Sequence, residues 1–434
     1  MVICPLQHGG IISKRKQFMK KIYLFTLSFP YGKGEKSFIT PELNELSKEY
    51  KITILSCARR EQIEDKINET ILNPNISVIL LRDHLSGIQK GIYLLRVLFS
   101  PLLWQELFYL VKSGKSIYKS WYFIFSFYAR ACNIKKQLKR LNVLHEDAIY
   151  FTYWYNHCTL GLLFTKKRYK NIKVITRTHG YDLYHERCPG NWQPFKRYMT
   201  AHINAIFFAC SYAKEYYVNT FLFNTNKMDK LYLARLGVPP KQKCNFIENN
   251  NVFELVSCSN VISIKRIELI IEALALCNDD MKLHWTHFGD GDLMQQIKRL
   301  TENKLASCKH ISYTFYGHVS NQTVMDYYES HPVNCFITTS STEGGCPVSI
   351  QEAVSYGIPV IGTAVGGILE LVQNNGVLLS AVPTFVEVAD AIKKVYYASE
   401  QQIQTWRDNS YKLWKEKFNS DENYKSFVKQ ITEL

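Results

Sequence analysis

Residues 340–353 read SSTEGGCPVSIQEA, and the chain continues with YGIPVIG at 356–362 and VGG at 365–367. This pattern predicts a loop, a helix, a strand, a glycine turn and a second helix. Pro347 suits the first helical turn, where its missing N–H costs nothing. Gly357 suits the left-handed position just past the helix end. The apolar run that follows it is typical of a parallel strand covered on both faces.

Two acidic residues, Glu343 and Glu352, bracket the start of this predicted helix, and Gly366-Gly367 opens the next one. Helix N-termini carry unpaired N–H groups and a partial positive charge, so they hold anions such as diphosphates. Carboxylates accept pairs of hydrogen bonds from vicinal hydroxyls. Together these parts suit a ligand with hydroxyls and a diphosphate, which is a nucleotide sugar. The alternative is an ordinary αβ unit whose glutamates are solvated.

The stretch resembles the C-terminal motif of family 4 retaining glycosyltransferases, of the kind that builds bacterial surface polysaccharide. In that motif seven residues separate two glutamates, and a proline stands third after the first. Here eight residues, 344–351, separate them, and the extra one precedes Pro347. The resemblance implies that Glu352 accepts from the ribose hydroxyls and that Glu343 faces the donor sugar. It also implies donor contacts at Gly344, Gly345, Cys346, Pro347 and Val348, and diphosphate contacts at the N–H groups of Gly366 and Gly367.

A basic segment at 259–266 precedes an apolar helix predicted at 269–276. Members of the resembled family usually carry Gly-Arg before this loop and a lysine five residues after the arginine. Both basic groups clamp the donor diphosphate. Lys265 matches the lysine, whereas Asn260 stands where the arginine is expected. This departure removes a bidentate phosphate ligand, and Arg266 is the neighbouring candidate to compensate.

The N-terminal part opens with an apolar strand predicted at 21–28. A loop with Gly32, Gly34 and Glu35 then leads into an amphipathic helix predicted at 38–48. This is a βαβ opening without a full GxGxxG, so a dehydrogenase is not indicated. In the resembled family such a loop borders the cleft and approaches the donor phosphates or the acceptor. A plain βα turn is the alternative.

His179-Gly180-Tyr181-Asp182 follows another predicted strand at 173–178. A histidine at the C-terminal end of a strand faces the usual ligand crevice of an open parallel sheet. The segment resembles one found in several family 4 enzymes. That resemblance implies that His179 lies near the reacting sugar and that Tyr181 and Asp182 belong to the cleft or acceptor side. The alternative is a structural histidine that caps a loop.

Strands alternate with helices along the chain, which predicts the α/β class with parallel sheets. We expect a disordered extension at 1–18, a Rossmann-like acceptor-side domain at 19–240 and a linker at 241–253. A Rossmann-like nucleotide-sugar domain at 254–410 and terminal helices at 411–434 that cross back to the first domain complete the prediction. This is the GT-B architecture that the resemblance implies: two facing Rossmann-like domains with the active site in the cleft.

The chain is basic, with a formal net charge of +15 at pH 7 and a sequence pI near 9.1. A basic surface favours an anionic partner such as phosphates, acidic lipid or nucleic acid. The twelve cysteines lack any CxxC or Cys/His metal spacing, which indicates reduced thiols in a cytosolic protein. The resembled fold works without a metal, so we expect no metal and no cofactor besides the nucleotide-sugar co-substrate.

Residues 92–140 mix aromatic, apolar and basic side chains. Their most hydrophobic window, 92–111, contains Arg96, Gln105 and Glu106, so it is a poor membrane span. The mixture suits helices that lie on a membrane surface beside anionic lipid. Core-facing helices with snorkelling lysines are the alternative.

These patterns together predict a retaining glycosyltransferase in which Glu343, His179 and Lys265 are catalytic. It would move a sugar from a nucleotide-sugar donor to a hydroxyl of a glycan or lipid-linked glycan. The alternatives are a sugar-nucleotide epimerase or phosphorylase of the same fold and, from another class, a basic nucleic-acid binder. The last lacks any recognisable module, and we expect no nucleic-acid partner. The expected location is the cytoplasm, on the inner face of the inner membrane if residues 92–140 bind lipid.

Overall fold

The computed structural model describes residues 19–32, 35–59, 63, 74–222, 225–240 and 252–434. The predicted extension at 1–18, the loop glycine Gly34 and nearly all of the predicted linker lie outside the described residues.

The first sheet contains seven parallel strands in the order β3-β2-β1-β4-β5-β6-β7. They are β1 (Lys20–Thr26), β2 (Tyr50–Ser56), β3 (Ile76–Leu80), β4 (Ile149–Thr152), β5 (Lys173–Thr178), β6 (Ala205–Phe208) and β7 (Leu231–Leu233). Residues of β4 and β6 are buried along their whole length, because helices cover both faces of a parallel sheet. In register, Ile22 stands beside Ile52 on one side and Ile149 on the other.

The second sheet contains six parallel strands in the order β10-β9-β8-β11-β12-β13. They are β8 (Phe253–Cys258), β9 (Leu283–Phe288), β10 (Ile311–Gly317), β11 (Cys335–Thr338), β12 (Val360–Thr363) and β13 (Gly376–Leu379). Its core packs Trp285, fully buried, among aliphatic residues of the neighbouring strands and helices.

Helices follow the strands throughout. They are α1 (Lys36–Glu49), α2 (Gly87–Leu98), α3 (Pro101–Lys112), α4 (Ile117–Arg140), α5 (His157–Leu163), α6 (Lys196–His202), α7 (Ser211–Phe221), α8 (Ile267–Leu274), α9 (Met294–Leu305), α10 (Asn321–Ser330), α11 (Val348–Ser355), α12 (Phe385–Tyr396), α13 (Glu400–Leu413) and α14 (Ser420–Glu433). The predicted α/β class with parallel sheets is confirmed.

Both sheets reverse their strand order at one place, and this fixes where ligands can bind. In the first sheet β4 returns to lie beside β1, and in the second β11 returns to lie beside β8. The connections on either side of such a reversal leave in opposite directions, so a crevice opens beyond the carboxyl ends of the two strands. Loops that follow β1, β4, β8 and β11 are therefore the ones positioned to form sites.

The segment quoted at the start folds largely as its pattern predicts. The helix is α11, and Gly357 beyond it has φ of 72°. The N–H of Gly357 donates to Val354 O and that of Ile358 donates to Ala353 O, which is the Schellman arrangement. Because Ile358 completes this cap, the strand begins at Val360 rather than at 358.

The C-terminal helices return to the first sheet. Val238 pairs with the chain around Asn419, where Val238 N–H donates to Phe418 O at 2.9 Å. Further along, the Phe427 ring of α14 packs edge-on against Phe207, and the Arg177 guanidinium lies 4.5 Å from its centroid. The end of the chain thus contributes to the core beneath the first sheet.

The aromatic and basic region forms the helices α2, α3 and α4 on the outside of the first sheet. Tyr93, Leu103 and Leu110 are buried, so one face of these helices packs inward. Among the described residues no single helix is long and apolar enough to cross a membrane. The helices α2 and α3 are long and apolar enough only when they are taken together, and the chain bends by 77° between them.

Phe427→Ala should lower the free energy of unfolding by about 3–5 kcal/mol, because it removes a fully buried ring and leaves a cavity. Urea unfolding followed by tryptophan fluorescence measures the change. Lys429→Ala on the same helix is the control, since its side chain is 78% exposed and its partner Glu433 is a surface carboxylate at 3.9 Å; it should cost less than about 0.5 kcal/mol. Equal losses in the two variants would contradict the packing of α14 against the first sheet.

Candidate active site

A cleft of about 560 Å³ lies between the loops at the carboxyl edges of the two sheets. Ser259 follows β8 and Glu343 follows β11, as the strand reversal requires, and His179 follows β5 of the first sheet. Most of the residues predicted from the sequence meet here: His179, Asn260, Lys265, Glu343, Gly344, Gly345, Cys346, Pro347, Val348 and Glu352 all line the cleft.

Lys265 and Glu343 form an ion pair inside the cleft. Lys265 ends a short 3-10 turn, Ser263–Lys265, and its Nζ lies 2.5 Å from Glu343 Oε1. The two side chains are only 18% and 14% exposed, so their attraction is screened less than that of a surface pair. An anionic ligand of Lys265 would have to compete with the Glu343 carboxylate.

Arg266 does not line the cleft, so its contacts in this structure give no support to the prediction that it compensates for the missing arginine. Its backbone is left-handed, with φ of 49°. Its guanidinium donates hydrogen bonds to main-chain carbonyls. Nε donates to Thr339 O at 2.7 Å, and Nη2 donates to Ser340 O and to Ala381 O. Arg266 therefore joins the loops after β11 and β13 instead of facing a ligand.

Glu352 lies on α11, and its carboxylate faces the cleft together with Asn321. Asn321 Nδ2 donates to Glu352 Oε1 at 2.6 Å, which fixes the orientation of the carboxylate. Asn321, and His318 before it, also line the cleft but were not singled out from the sequence. The signal available was the Gly317-His318 pair at the end of β10, since loops at that edge of the sheet form the site.

Gly366 and Gly367 lie behind the cleft loop and are not among the residues that line the cleft. Their predicted diphosphate contact stays a prediction. They begin a five-residue 3-10 turn, Gly366–Glu370, instead of a full α-helix. A Cβ at Gly366 would lie 1.8 Å from Glu343 O, and one at Gly367 would lie 2.3 Å from the Gly345 carbonyl. The glycine pair is needed because the loop backbone from Glu343 to Cys346 rests directly on it.

The cleft loop also touches the first half of the chain through backbone atoms. A Cβ built on Gly344 would lie 2.3 Å from Gly180 Cα and 3.2 Å from the Tyr184 ring. The loop His179–Asp182 and the loop that contains Gly344 are therefore in direct contact at the cleft, where the Gly344 backbone packs against the Gly180 backbone.

His179 is a half-buried side chain at the cleft wall. Its ring centroid lies 4.5 Å from that of Trp154 and 5.0 Å from that of Tyr153. Burial, and secondarily the Arg177 guanidinium, lowers the pKa of His179 to about 3. Its Nε2 is buried without a hydrogen-bond partner among the described residues. Buried polar atoms are nearly always paired, so this unpaired nitrogen is an unusual feature of the cleft wall.

Tyr181 and Asp182 line a second cavity of about 420 Å³, which we call the N-terminal cavity. It lies in the crevice between β1 and β4. Asp182 holds the loop in shape, because its carboxylate accepts from the N–H groups of His179 and Tyr155, each at 2.6 Å. The cavity walls include Ser28, Cys57, Arg59, Asp83, Phe123, Ser126, Phe127, Arg130, Asn156, His157, Tyr181 and Asp182.

Gly32 and Glu35 belong to the loop after β1 but line neither cavity. The Glu35 carboxylate accepts from the N–H groups of Leu27 and Phe29, at 3.0 and 2.7 Å, and from Trp154 Nε1 at 2.5 Å. Glu35 therefore holds the β1 loop against the β4 loop, which fits the alternative of a plain βα turn. Its predicted place in an acceptor or cleft loop stays a prediction.

A second contact joins the two halves behind the cleft. Glu370 accepts from Arg235 Nη2 at 2.7 Å and from the N–H of Ser211 at 2.5 Å. The thiols of Cys210 and Cys346 lie close to the same carboxylate, with all three groups within 4.8 Å of one another. This cluster links α7 of the first half to the turn after β12.

Parts of the chain are similar to known proteins. Residues 253–397 match the family model described as Glycosyl transferases group 1. Over 153 residues the chain is 27% identical to the O-antigen biosynthesis glycosyltransferase WbnH of Escherichia coli. The matched residues cover 35% of this chain and 40% of that protein. Over 155 residues it is 23% identical to the amylovoran biosynthesis glycosyltransferase AmsK of Erwinia amylovora, 34% of this chain and 37% of that one. The chain thus spans about two fifths of the length of the curated relatives it matches.

Solved structures match over nearly the whole chain. The lipopolysaccharide outer core galactosyltransferase WaaB superposes with a TM-score of 0.68 at 13% identity, covering 95% of this chain and 99% of that one. Anabaena HepE, solved with UDP and glucose, superposes with a TM-score of 0.63 at 13% identity, covering 96% and 100%. At this identity the likeness concerns the fold alone: the chain has the GT-B fold, and its residues 253–397 match the Glycosyl transferases group 1 family.

Gly344→Ala should lower the free energy of unfolding by about 1–3 kcal/mol, because its methyl group overlaps the Gly180 backbone and something must shift. Gly345→Ala is the matched control, since the nearest atom to its new methyl group would be Ala209 Cβ at an ordinary 3.9 Å. Urea unfolding measures both. A Gly344→Ala variant as stable as Gly345→Ala would show that the two loops do not press together.

Proposed function

We propose that this chain is a retaining glycosyltransferase that moves a sugar from a nucleotide-sugar donor to a hydroxyl of a glycan or lipid-linked glycan. The observation that carries the proposal is the meeting of Lys265, Glu343, Glu352 and His179 in one cleft between two parallel sheets. Three of these residues lie in the segment 253–397 that matches the glycosyltransferase family. The names of the curated relatives support the same class of reaction.

In the proposed reaction the second half binds the nucleotide diphosphate. Glu352, oriented by Asn321, accepts from the two ribose hydroxyls. Lys265 takes the departing diphosphate, whose negative charge grows as the bond to the sugar breaks. A fixed cation placed where charge develops lowers the barrier without any rearrangement of solvent. We propose that the protein works without a metal ion, with Lys265 supplying this charge.

Glu343 and His179 act on the sugar in the same proposal. Once the diphosphate binds Lys265, the Glu343 carboxylate loses its ion-pair partner and can face the donor sugar. There it would stabilise the positive charge of an oxocarbenium-like transition state. His179 is neutral at physiological pH, so it orients a sugar hydroxyl through Nε2 and does not serve as a charged acid.

A panel of nucleotide sugars tests the function. The donor should raise the melting temperature of the protein, because a ligand that binds only the folded state stabilises it. UDP-sugars come first, since HepE of the same fold was solved with UDP. Products from a glycan acceptor are then examined by NMR for the configuration of the new linkage. An epimerised nucleotide sugar and no transfer would favour the alternative, an epimerase of the same fold.

Lys265→Ala should lower kcat more than it raises the KM of the donor, because the lost interaction strengthens in the transition state. Glu343→Gln should slow transfer on the order of a hundredfold or more. Lys298→Ala, an exposed lysine of α9 away from the cleft, is the control and should keep wild-type kinetics. If either cleft variant turned over within a factor of about two of the control, its assigned role would be wrong.

We further propose that the protein works in the cytoplasm on an anionic membrane surface. The helices α2, α3 and α4 expose apolar side chains to solvent, and we call this set the apolar face. Its most exposed members are Ile88, Leu95, Phe99, Trp104, Phe108, Tyr118 and Tyr122. Lys90, Arg96, Lys112, Lys115 and Lys119 are exposed among them, and between residues 84 and 145 Glu106 is the sole acidic residue. Glu106 is buried, so the surface is apolar and cationic, which suits an anionic interface.

Phe99→Ser combined with Trp104→Ser should abolish most pelleting with phosphatidylglycerol vesicles, because burying each ring is worth about 1.5–3 kcal/mol, roughly tenfold or more in affinity. Val382→Ser, at a side chain that is 80% exposed in the other half, is the control and should pellet like wild type. High salt should release the wild-type protein. Vesicle binding that is equally strong in the double variant would place the membrane contact elsewhere.

A further inference from the structure

We propose that the thiol of Cys158 is oxidised by a hydroperoxide and then forms a disulfide with Cys57 beside the N-terminal cavity. This adds a modification site to the protein and does not depend on the proposed function. The arguments are the contact between two thiols, the charged groups beside one of them, and the cavity that leads to both.

The two thiols come from distant parts of the chain and touch in the folded protein. Cys57 directly follows β2, and Cys158 lies in the first turn of α5, 101 residues later. Their Sγ atoms are 3.8 Å apart, and both side chains are buried. The N–H of Cys57 donates to Thr26 O at 3.0 Å, and that of Cys158 donates to Asn156 Oδ1 at 2.9 Å. Since a disulfide holds its sulfurs about 2.05 Å apart, small movements of these two side chains can close the bond.

Charged groups beside Cys158 favour its thiolate, which is the reactive form of a cysteine. His157 Nε2 lies 3.6 Å from Cys158 Sγ and 2.9 Å from Asp83 Oδ1. Asp83 is fixed in turn by Nε of Arg130, which donates to it at 3.0 Å. A positive charge on the His157 ring is therefore stabilised by a fixed carboxylate, and it stabilises a thiolate at Cys158.

The pKa directions of the three groups agree with this arrangement. The contact with Cys57, and then the charge of His157, lowers the pKa of the Cys158 thiol although burial opposes the change. The same contact, together with burial, raises the pKa of the Cys57 thiol. Burial alone would lower the pKa of His157, but Cys158 and Asp83 raise it to about 9. One thiol of the pair is thus a nucleophile, and the other keeps its proton.

The reaction with hydrogen peroxide balances with the groups that are present. The Cys158 thiolate attacks one peroxide oxygen, the O–O bond breaks, and the leaving oxygen takes a proton from His157 and departs as water. This step leaves a sulfenic acid at Cys158. The Cys57 sulfur then attacks the Cys158 sulfur, so that an S–S bond forms and the S–O bond breaks. The hydroxyl group leaves with the Cys57 proton as a second water, so both sulfurs are oxidised and both peroxide oxygens are reduced.

The N-terminal cavity gives a small oxidant access to this pair. Cys57, His157 and Asp83 line the cavity, whose volume is about 420 Å³. Cys158 lies directly behind two of them, with its Sγ 3.8 Å from the Cys57 sulfur and 3.6 Å from the His157 ring nitrogen. A peroxide molecule in the cavity therefore reaches Cys158 when the Cys57 side chain turns aside.

A second pair of close thiols provides a comparison within the same chain. Cys210 and Cys346 lie within 4.8 Å of each other and of the Glu370 carboxylate. That carboxylate is paired with Arg235, whereas the group beside Cys158 is an imidazole. Contact with Cys210, together with burial, raises the pKa of the Cys346 thiol. This second pair should therefore react more slowly, even though Cys346 lines the cleft.

Peptide mapping of the full chain after treatment with hydrogen peroxide tests the proposal. The reduced protein is exposed to peroxide, free thiols are blocked with N-ethylmaleimide at set times, and tryptic peptides are analysed by mass spectrometry. The Cys57–Cys158 disulfide should form at least tenfold faster than a Cys210–Cys346 disulfide. This comparison uses the unaltered protein, so it does not depend on the folding of any variant.

Single substitutions identify the sulfur that peroxide attacks. In Cys57→Ser the Cys158 sulfenic acid should persist and be trapped by dimedone, whereas in Cys158→Ser the Cys57 thiol should stay reduced. His157→Asn should slow disulfide formation at least tenfold, because it removes both the proton donor and the positive charge. Cys277→Ser, at a buried thiol in the second half of the chain, is the control and should match wild type.

Three results would overturn the assignment. A Cys210–Cys346 disulfide that forms as fast as the Cys57–Cys158 one would show that the imidazole gives no selectivity. Dimedone labelling of Cys57 in Cys158→Ser, with no labelling of Cys158 in Cys57→Ser, would show that peroxide attacks the other sulfur. An unchanged rate in His157→Asn would remove the ring from the reaction. None of these measurements uses a nucleotide sugar, so their outcome is separate from that of the proposed function.

Discussion

The cleft depends on close backbone contacts made by the loop that contains Gly344. The Gly344 loop rests on Gly180 on one side and on Gly366 and Gly367 on the other, and a single added Cβ at Gly344, Gly366 or Gly367 would overlap a main-chain atom. A loop held this tightly between two glycine surfaces has little freedom. Glu343 at its start and Cys346 at its end are therefore positioned by main-chain packing, which does not depend on the rotamer of any side chain. This explains how a loop with one residue more than the resembled motif can still present Glu343 to the cleft.

The same contact couples the two halves of the molecule. Glu370 with Arg235 forms a second bridge behind the loop, and α14 returns the end of the chain to the first sheet, where Phe427 and Arg177 meet. Arg177 is itself buried beside Glu42 at 2.7 Å, and burial raises the pKa of Glu42 to about 7. A buried pair of this kind adds little net stability, but removing one partner alone leaves an uncompensated charge. The first sheet and the terminal helix are thus linked by a contact that tolerates change poorly.

The sequence was informative where local rules determine the conformation. The positions of proline and glycine predicted α11 and its C-terminal cap, and short apolar runs predicted the strands. Side-chain direction was beyond those rules. Arg266 is a plausible phosphate ligand by position, yet its left-handed backbone turns the guanidinium toward main-chain carbonyls. Glu35 lies in a loop near the cleft, but its carboxylate is used by the N–H groups of the neighbouring turn. A motif predicted that Gly366 and Gly367 bind the diphosphate. Their packing against a loop about twenty residues earlier in the chain is visible only in the folded structure. Asn321 and Arg130 carry no motif, and only the packing of the whole chain brings them to the cleft and to the N-terminal cavity.

Because Arg266 does not line the cleft, the proposed reaction depends on Lys265 for its positive charge. Among the described residues that line the cleft, Lys265 is the only lysine or arginine, and Asn260 stands where the resembled family has an arginine. A single ammonium group is a compact point charge, with less directional hold on a diphosphate than a guanidinium. Lys265 is also the partner of Glu343, so the diphosphate and the carboxylate compete for one cation. Binding of the donor would then release Glu343 at the moment when a sugar arrives beside it. In the proposed reaction the diphosphate therefore binds Lys265 and frees the Glu343 carboxylate in the same step. Donor binding and sugar transfer are linked through the Lys265–Glu343 ion pair.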